Sequence, residues 1–403
     1  GGRETWSRAM LSAAAAIVVG AAVGITPPNT SLATVPIGYF GGNYNHRDDA
    51  SIQMLAKARI VMLEKWEGHC WTECLANMSS PSCLPGCDVE DIIIDVHRRI
   101  KAVNPGVSCV MYLNTLLDFP FYRLHGVYEA NKANTMDITT GKPISIRNDN
   151  GMEGIFVFGF EQELGVQLYI DAIKNITQTG IIDGFFGDKW DKGASEDKGT
   201  WTICNHECGT VSQEVGIKWN AGKKDALAAV TKIVGDGPYF ANGNVFEGVP
   251  SNFNGHWASA PWLARGDPRD GIADVAQHLS NHTYMYASST GDQHWTTDPN
   301  DPASLVSACS TNCLARFLLA VEEGVFLGTN GWDEAYSYPL GDPLGPAVYT
   351  EAANGKPATL TRNFTSGTFV VFTYDSSGEG DGSGEIFWEG KTPPPTPPPT
   401  MPP

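Results

Sequence analysis

The chain has 403 residues, 42% of them hydrophobic and 10% aromatic, which is enough for one large core or two modest ones. Its formal net charge is −18, and no cluster of lysine and arginine interrupts the acidity. That argues against nucleic acid and against an anionic membrane surface as partners, because both require a basic patch.

At the N-terminus, Arg3 and Arg8 precede the uncharged run AMLSAAAAIVVGAAVGI, Ala9 to Ile25, which TPP closes. A basic stretch followed by an apolar one is the pattern of a targeting segment, here residues 1–30. It reads as a cleaved signal peptide, with a signal anchor as the alternative. Either way the rest of the chain is expected outside the cytoplasm, secreted or tethered to a membrane through this segment alone. Two further features agree with export. Asn-x-Ser/Thr sequons occur at Asn29, Asn77, Asn175, Asn281 and Asn363, and eight of the nine cysteines form four C-x-x-x-C pairs. The pairs are Cys70/Cys74, Cys83/Cys87, Cys204/Cys208 and Cys309/Cys313, read as disulfides in preference to zinc ligands, with the connectivity left open. Cys109, inside the apolar VSCVMYL, reads as a buried free thiol.

From residue 31 onward, short apolar runs alternate with helical patterns. VPIGYFGG (35–42) precedes DDASIQMLAKA, and RIVMLEKW (59–66) precedes DVEDIIIDVHRRIKAV across a cysteine-rich loop. VSCVMYLN (107–114), GIFVFGFE (154–161), IIDGFFGD (181–188) and PYFANGN (238–244) continue the series. SNFNGHWA and TYMYASS (283–289) complete it, and ASLVSACSTNCLARFLLAVEEG (303–324) reads as a helix. Strands buried on both faces appear as apolar runs rather than alternations, and strand–helix repetition predicts a parallel α/β sheet. Eight units over roughly 290 residues predict a (β/α)8 TIM barrel across 31–332. The alternative, an open doubly wound sheet, expects a G-x-G-x-x-G first turn, which YFGGNYNHRDD lacks. Residues 333–390 predict a small β-hairpin extension packed on the barrel, built from ATLTRNF and GTFVVFTY around Ser366-Gly367, with GEIFW as a further strand candidate. KTPPPTPPPTMPP (391–403) is a proline/threonine-rich linker.

In such barrels the chemistry gathers at the C-terminal ends of the strands. Reading those positions gives Glu64, Trp66 and Glu67 after the second run, Asn114 after the third, Glu161 after the fourth, Asp188 after the fifth and Asn242 after the sixth. Glu247, His256 and Trp257 follow. Paired carboxylates with amides and indoles are what glycosidic hydrolysis needs: one acid protonates the leaving oxygen and one carboxylate attacks the anomeric carbon or activates water. Asp188 and Glu64 are the leading catalytic candidates, with Glu161 and Glu247 as substitutes. Trp66, Asn114, Lys189, Trp190, Asn242, His256 and Trp257 are candidates to line a sugar cleft, since indole faces stack on sugar C–H faces. Each has a plainer reading as a solvated loop charge or a packing ring, and Asp183, at the opposite end of its strand, reads as structural. No H-E-x-x-H, G-x-S-x-G or P-loop pattern occurs, and no metal or organic cofactor is implied.

VMLEKWEG, VMYLNTLLDFPFYRLH, IDGFFGDKW, YFANGN and the later YPLGDPLGPAV and TRNFTSGTFVVF resemble the TIM-barrel glycoside hydrolase families of exported proteins, over roughly residues 35–375. The resemblance implies the barrel fold and hydrolysis of O-glycosidic bonds in a polysaccharide. It carries an acidic role to Asp188 and, through the EKW match, to Glu64. In two places the chain departs from that pattern: Gly159 and Asn254 stand where the families have acidic residues. Those departures support an alternative, a catalytically inactive carbohydrate-binding surface protein on the same barrel. A deacetylase or esterase is a weaker third reading, for want of a metal triad or a serine elbow.

Overall fold

The computed structural model describes residues 25–41, 48–65, 67, 89–146, 154–197, 199–204, 208–242, 254–264, 267–288, 309–329, 331–375 and 382–389. The targeting segment up to residue 24 and the proline-rich tail lie outside them, as do Trp66, Glu247 and the cysteines Cys70, Cys74, Cys83 and Cys87. No helix among the described residues is long and apolar enough to cross a membrane.

Eight strands close into a barrel: Ile37–Gly41, Ile60–Leu63, Ser108–Asn114, Gly184–Asp188, Tyr239–Asn242, Gly255–Ser259, Tyr284–Ser288 and Val325–Thr329. Each is parallel to both neighbours, and the last pairs with the first through Ile37↔Leu327 and Tyr39↔Thr329. Helices such as Val89–Val103 and Gln213–Val234 connect successive strands. A strand sandwiched between a packed interior and a helical layer is apolar along its whole length, as Ile60–Leu63 and Ser108–Asn114 are, every residue buried. The interior is filled by large rings admitted by small neighbours. The ring of Tyr286, on the seventh strand, occupies the space where a Cβ on Gly38 or Gly328 would fall, 2.4 Å away in both cases.

The barrel uses a different set of strands from the one the apolar runs suggest. GIFVFGFE is outside it: Ile155–Val157 pairs antiparallel with Leu117–Asp118 and with Ser145–Ile146 in a small separate sheet. IDGFFGD is therefore the fourth barrel strand rather than the fifth. The eighth is VFLGT, Val325–Thr329, at the end of the stretch following the helix Thr311–Ala320. The two differences offset one another, which leaves the count at eight. Between the fourth strand and its helix lies a second excursion, an antiparallel sheet of Ala194–Asp197, Thr200–Cys204 and Cys208–Val211.

The C-terminal extension is a four-stranded antiparallel sheet, Val348–Thr350, Thr359–Asn363, Phe369–Tyr374 and Gly382–Phe387, in which the hairpin of ATLTRNF and GTFVVFTY is flanked by GEIF on one side and by the further strand Val348–Thr350 on the other. It docks on the helix Thr311–Ala320. The Arg316 guanidinium lies 4.9 Å from the Phe372 ring centre, and buried Arg362 donates to the carbonyls of Leu319 (3.0 Å) and Val321 (2.7 Å). Asn312 Oδ1 accepts from the Gly384 amide at 2.9 Å. The Arg362 bonds answer carbonyls at the helix C-terminus that have no partner within the helix.

A disulfide links Cys309 and Cys313 at the start of that helix. Cys204 and Cys208 are register partners across an antiparallel pair, and Cys109 is a buried free thiol.

The N-terminal end of the barrel is held by Asp183. Its Oδ1 accepts from the Thr26 amide (2.8 Å) and its Oδ2 from the Cys109 amide (2.8 Å), while Lys101 Nζ approaches to 2.7 Å. One carboxylate thus joins the entering chain, the third strand, the fourth strand and the helix Val89–Val103. Lys101→Met leaves Asp183 buried without its cation, and is expected to lower stability by about 3–5 kcal/mol in urea unfolding.

Candidate functional site

At the opposite end of the barrel, side chains alternate along each strand between the interior and the helical layer. Tyr112 and Asn114 therefore share a face on the third strand, as do Phe186 and Asp188 on the fourth. The pairing Asn114↔Asp188 brings the last residues of these two strands side by side. Below them, rings make the floor. Phe186 meets Phe40 edge-on at 5.3 Å between centroids and Tyr112 at 5.7 Å.

The Asp188 carboxylate is gripped from three sides. Oδ2 accepts from the Tyr112 hydroxyl (2.5 Å) and from Asn114 Nδ2 (3.1 Å). Oδ1 accepts from Asn242 Nδ2 on the fifth strand (2.8 Å) and from the Lys189 amide (2.8 Å). Four donors converge on it, matching the acceptor-only demand of a carboxylate. The Asn114 amide cannot turn over, since its Oδ1 already accepts from the Leu116 (2.9 Å) and Leu117 (2.7 Å) amides. The Asp188 carbonyl is held as well, by the Thr115 amide (2.9 Å) and hydroxyl (2.8 Å).

Glu64 follows the second strand and is 5% exposed. Burial raises its pKa to about 7, the negative charge of Asp188 pushes in the same direction, and Lys65, with Nζ 3.2 Å away, partly opposes both. Lys65 also sits 4.0 Å from the centre of the Tyr112 ring, so its cation is shared between a carboxylate and an aromatic face. Glu64 and Asp188 thus interact electrostatically at one rim of the barrel. One is buried and disposed to hold a proton near neutrality, and the other is half-exposed and fixed by donors. Tyr112, buried between them, has its own pKa pushed far up, first by burial and then by the two carboxylates, so it acts as a hydrogen-bond donor.

The other candidates are distributed differently. Glu161 lies just after the small antiparallel sheet, and its carboxylate accepts from Thr135 Oγ1 (2.9 Å) and Gln162 (3.4 Å). Burial raises its pKa, but its bonds tie it to the excursion and not to the carboxylate pair. Trp190 is buried and packs edge-on against Tyr239 at 5.4 Å, so its indole is a core ring instead of a face for sugar. Lys189 adopts a left-handed backbone conformation with φ of 57°. His256 and Trp257 lie on the sixth strand, where Trp257 is the register partner of Asn242. The loops after the first, fifth and seventh strands and most of the one after the second, with Trp66 and Glu247, are outside the described residues.

Both departures from the hydrolase pattern have a packing explanation. A Cβ on Gly159 would fall 1.8 Å from the Ala133 carbonyl oxygen, which leaves no room for an aspartate there. Asn254 precedes its strand at the N-terminal end of the barrel, where it accepts from the Tyr239 amide (2.8 Å) and donates to the Gly237 carbonyl (2.7 Å). Asn254 is thus at the end of the barrel opposite Asp188, and Gly159 belongs to the excursion that follows Asn114.

Lys223 is a contributor that reading strand ends misses. It is buried on the helix Gln213–Val234 and donates to the carbonyls of Lys189 (2.9 Å) and Lys192 (2.6 Å), clasping the turn that follows Asp188. Burial pushes its pKa down to about 7 against the pull of Asp191 and Asp188. Its signal was present in the sequence: Lys223 falls on the helical stripe of Trp219, Ala226, Leu227 and Val230, where an apolar residue is expected.

No family model matches the chain, and no curated protein matches it. Among solved structures, it is similar to a GH31 sulfoquinovosidase from E. rectale (15% identity, TM-score 0.49, covering 76% of this chain and 44% of that one). It is also similar to an α-galactosidase from Thermus thermophilus (13%, TM-score 0.42, 83% and 66%). A third is the GH36 α-galactosidase AgaA from Geobacillus stearothermophilus (11%, TM-score 0.45, 85% and 48%). The chain spans between 44% and 66% of these proteins' lengths. At such identities and scores the likeness assigns no residue a role, and the barrel rests on its own strand register.

Glu64 makes a prediction about stability that is independent of any activity. Its folded pKa, about 7, lies above the reference 4.5, so the native state holds the extra proton between those values. The stabilisation tied to that proton is complete below pH 4.5 and is lost as pH rises through about 7. Relative to Glu64→Gln, the wild type should lose unfolding free energy across this window in urea titrations and run parallel to the variant outside it.

Proposed function

We propose that this protein is an exported glycoside hydrolase-like enzyme that cleaves O-glycosidic bonds of a polysaccharide with Glu64 and Asp188. The observation that carries the reading is the unequal carboxylate pair: Glu64 buried with its pKa raised to about 7, beside Asp188 held by Tyr112, Asn114 and Asn242. Pairs whose surroundings drive their proton affinities apart are how one site supplies both an acid and a base at neutral pH. In this reading Glu64 donates its proton to the departing glycosidic oxygen, and Asp188 serves as nucleophile or as base toward water. Tyr112, Asn114 and Asn242 orient Asp188. Trp66, Lys189, His256 and Trp257 are the proposed sugar contacts, and Glu247 stays a reserve acid. The expected setting is outside the cytoplasm, from the Ala9–Ile25 segment and the C-x-x-x-C pairs.

The inactive-binder alternative rested on Gly159 and Asn254. With one residue explained by the Ala133 carbonyl and the other by the Gly237–Tyr239 backbone, no observation favours it over the enzyme.

The test is reducing-sugar release from a panel of polysaccharides. Asp188→Asn and Glu64→Gln should each lower kcat by about 10²–10⁴-fold, the range for loss of a positioned acid or base. Full activity in either variant rejects the assignment, and glycan binding without release by the wild type supports the binder. As a proton donor, Glu64 must be protonated, so kcat/KM should fall as pH rises through about 7, and Glu64→Gln should abolish that alkaline limb.

A further inference from the structure

On the solvent face of the C-terminal sheet, three residues form one row across three strands. Asn363 pairs with Phe369, and Phe369 pairs with Phe387. The residues next along these strands, Arg362, Val370 and Ile386, face the other way toward the body of the protein. The two rings are stacked, 6.0 Å between centroids and 28° between planes, and Phe387 is 44% exposed. The pair, Phe387 exposed and Phe369 half-buried, presents apolar surface on the solvent face of the described sheet. Asn363 begins the sequon Asn363-Phe364-Thr365, is itself exposed, and its side-chain amide makes no hydrogen bond among the described residues. By contrast, the amide of the sequon asparagine Asn281 is engaged by Gln277 and Ser280.

We propose that Asn363 is an N-glycosylation site whose innermost N-acetylglucosamine lies over Phe369 and Phe387. Directly opposed side chains on antiparallel strands have Cβ atoms about 4.5–5.5 Å apart, so a pyranose attached to Asn363 begins within contact of the Phe369 ring. The apolar C–H face of that sugar covers the aromatic face, and its hydroxyls and acetamide remain in water. In the attachment step, Asn363 Nδ2 forms a bond to the anomeric carbon of a lipid-diphosphate-linked oligosaccharide, the donor in glycosylating cells. The bond from that carbon to the diphosphate oxygen breaks, the lipid diphosphate leaves with the electron pair, and Nδ2 gives up one proton. The inference rests on sheet register, on exposure and on the export proposed above, and is independent of the hydrolase reading.

The experiment is expression of the full chain in glycosylation-competent eukaryotic cells, recovery from the medium or the lumenal membrane fraction, and glycopeptide mass spectrometry. Asn363 should carry glycan, and its absence in either fraction overturns the proposal. Trimming with an endoglycosidase that leaves one N-acetylglucosamine should leave the melting temperature unchanged, whereas Asn363→Gln should lower it by about 2 °C. In a Phe369→Ser background the glycosylated chain and its Asn363→Gln version should melt together. A glycan whose loss shifts melting equally with Phe369 or Ser at 369 overturns the stacking. So does a loss of the shift on trimming to a single sugar.

Discussion

The site depends on the convergence of four donors on one carboxylate. Asp188 ends the fourth barrel strand, and its oxygens accept from Tyr112 and Asn114 on the third strand, Asn242 on the fifth, and the Lys189 amide. Such a cage forms only where three parallel strands end at the same height, which register imposes through Asn114↔Asp188 and Ala241↔Gly187. Hydrogen bonds to a charged acceptor are stronger than neutral ones, and several together leave the carboxylate with one orientation. With Asp188 fixed and half-exposed, the neighbouring Glu64 feels both burial and a like charge. The two carboxylates thereby differ in burial, and the proposed acid role of Glu64 rests on that difference.

The two ends of the barrel use carboxylates in different ways. Asp183 at the N-terminal end has a lysine at 2.7 Å and two backbone amides, so it joins elements. Asp188, five residues later, has donors that orient it but leave it in contact with solvent. Lys223 belongs to both kinds of work. Its ammonium ties the Lys189 and Lys192 carbonyls to the helix Gln213–Val234, and by shaping that turn it helps aim Asp188. Its pKa is lowered to about 7 by burial, and it reaches the rim from the helical layer as the Tyr169 hydroxyl does, which donates to the Asn114 carbonyl at 3.3 Å.

The decorations are not passive. The small sheet of Leu117–Asp118, Ser145–Ile146 and Ile155–Val157 is inserted directly after Asn114, and its close packing at Gly159 depends on the absence of a side chain. The C-terminal sheet is anchored by two buried guanidiniums that satisfy carbonyls and cover rings, Arg316 on Phe372 and Arg362 on the end of the Thr311–Ala320 helix. Its inner face is therefore committed to the barrel. Its outer face carries the Asn363–Phe369–Phe387 row.

Much of this was present in the sequence alone. Apolar runs such as RIVMLEKW and VSCVMYLN announce strands buried on both faces, and the abrupt end of IIDGFFGD at Asp188, like that of the Glu64 run, marks a strand terminus bearing a carboxylate. Tertiary structure decided what pairs with what. GIFVFGFE is as apolar as a barrel strand, and periodicity reports burial without telling a parallel partner from an antiparallel one; VFLGT is hard to read as a strand because it trails a helix. The meanings of Gly159, Asn254 and Trp190 were also set at a distance, by the Ala133 carbonyl, by the Gly237–Tyr239 backbone and by the Tyr239 ring. A chain encodes its local periodicities residue by residue, but strand order, register and the proton affinity of Glu64 arise only when residues far apart along it share one interior.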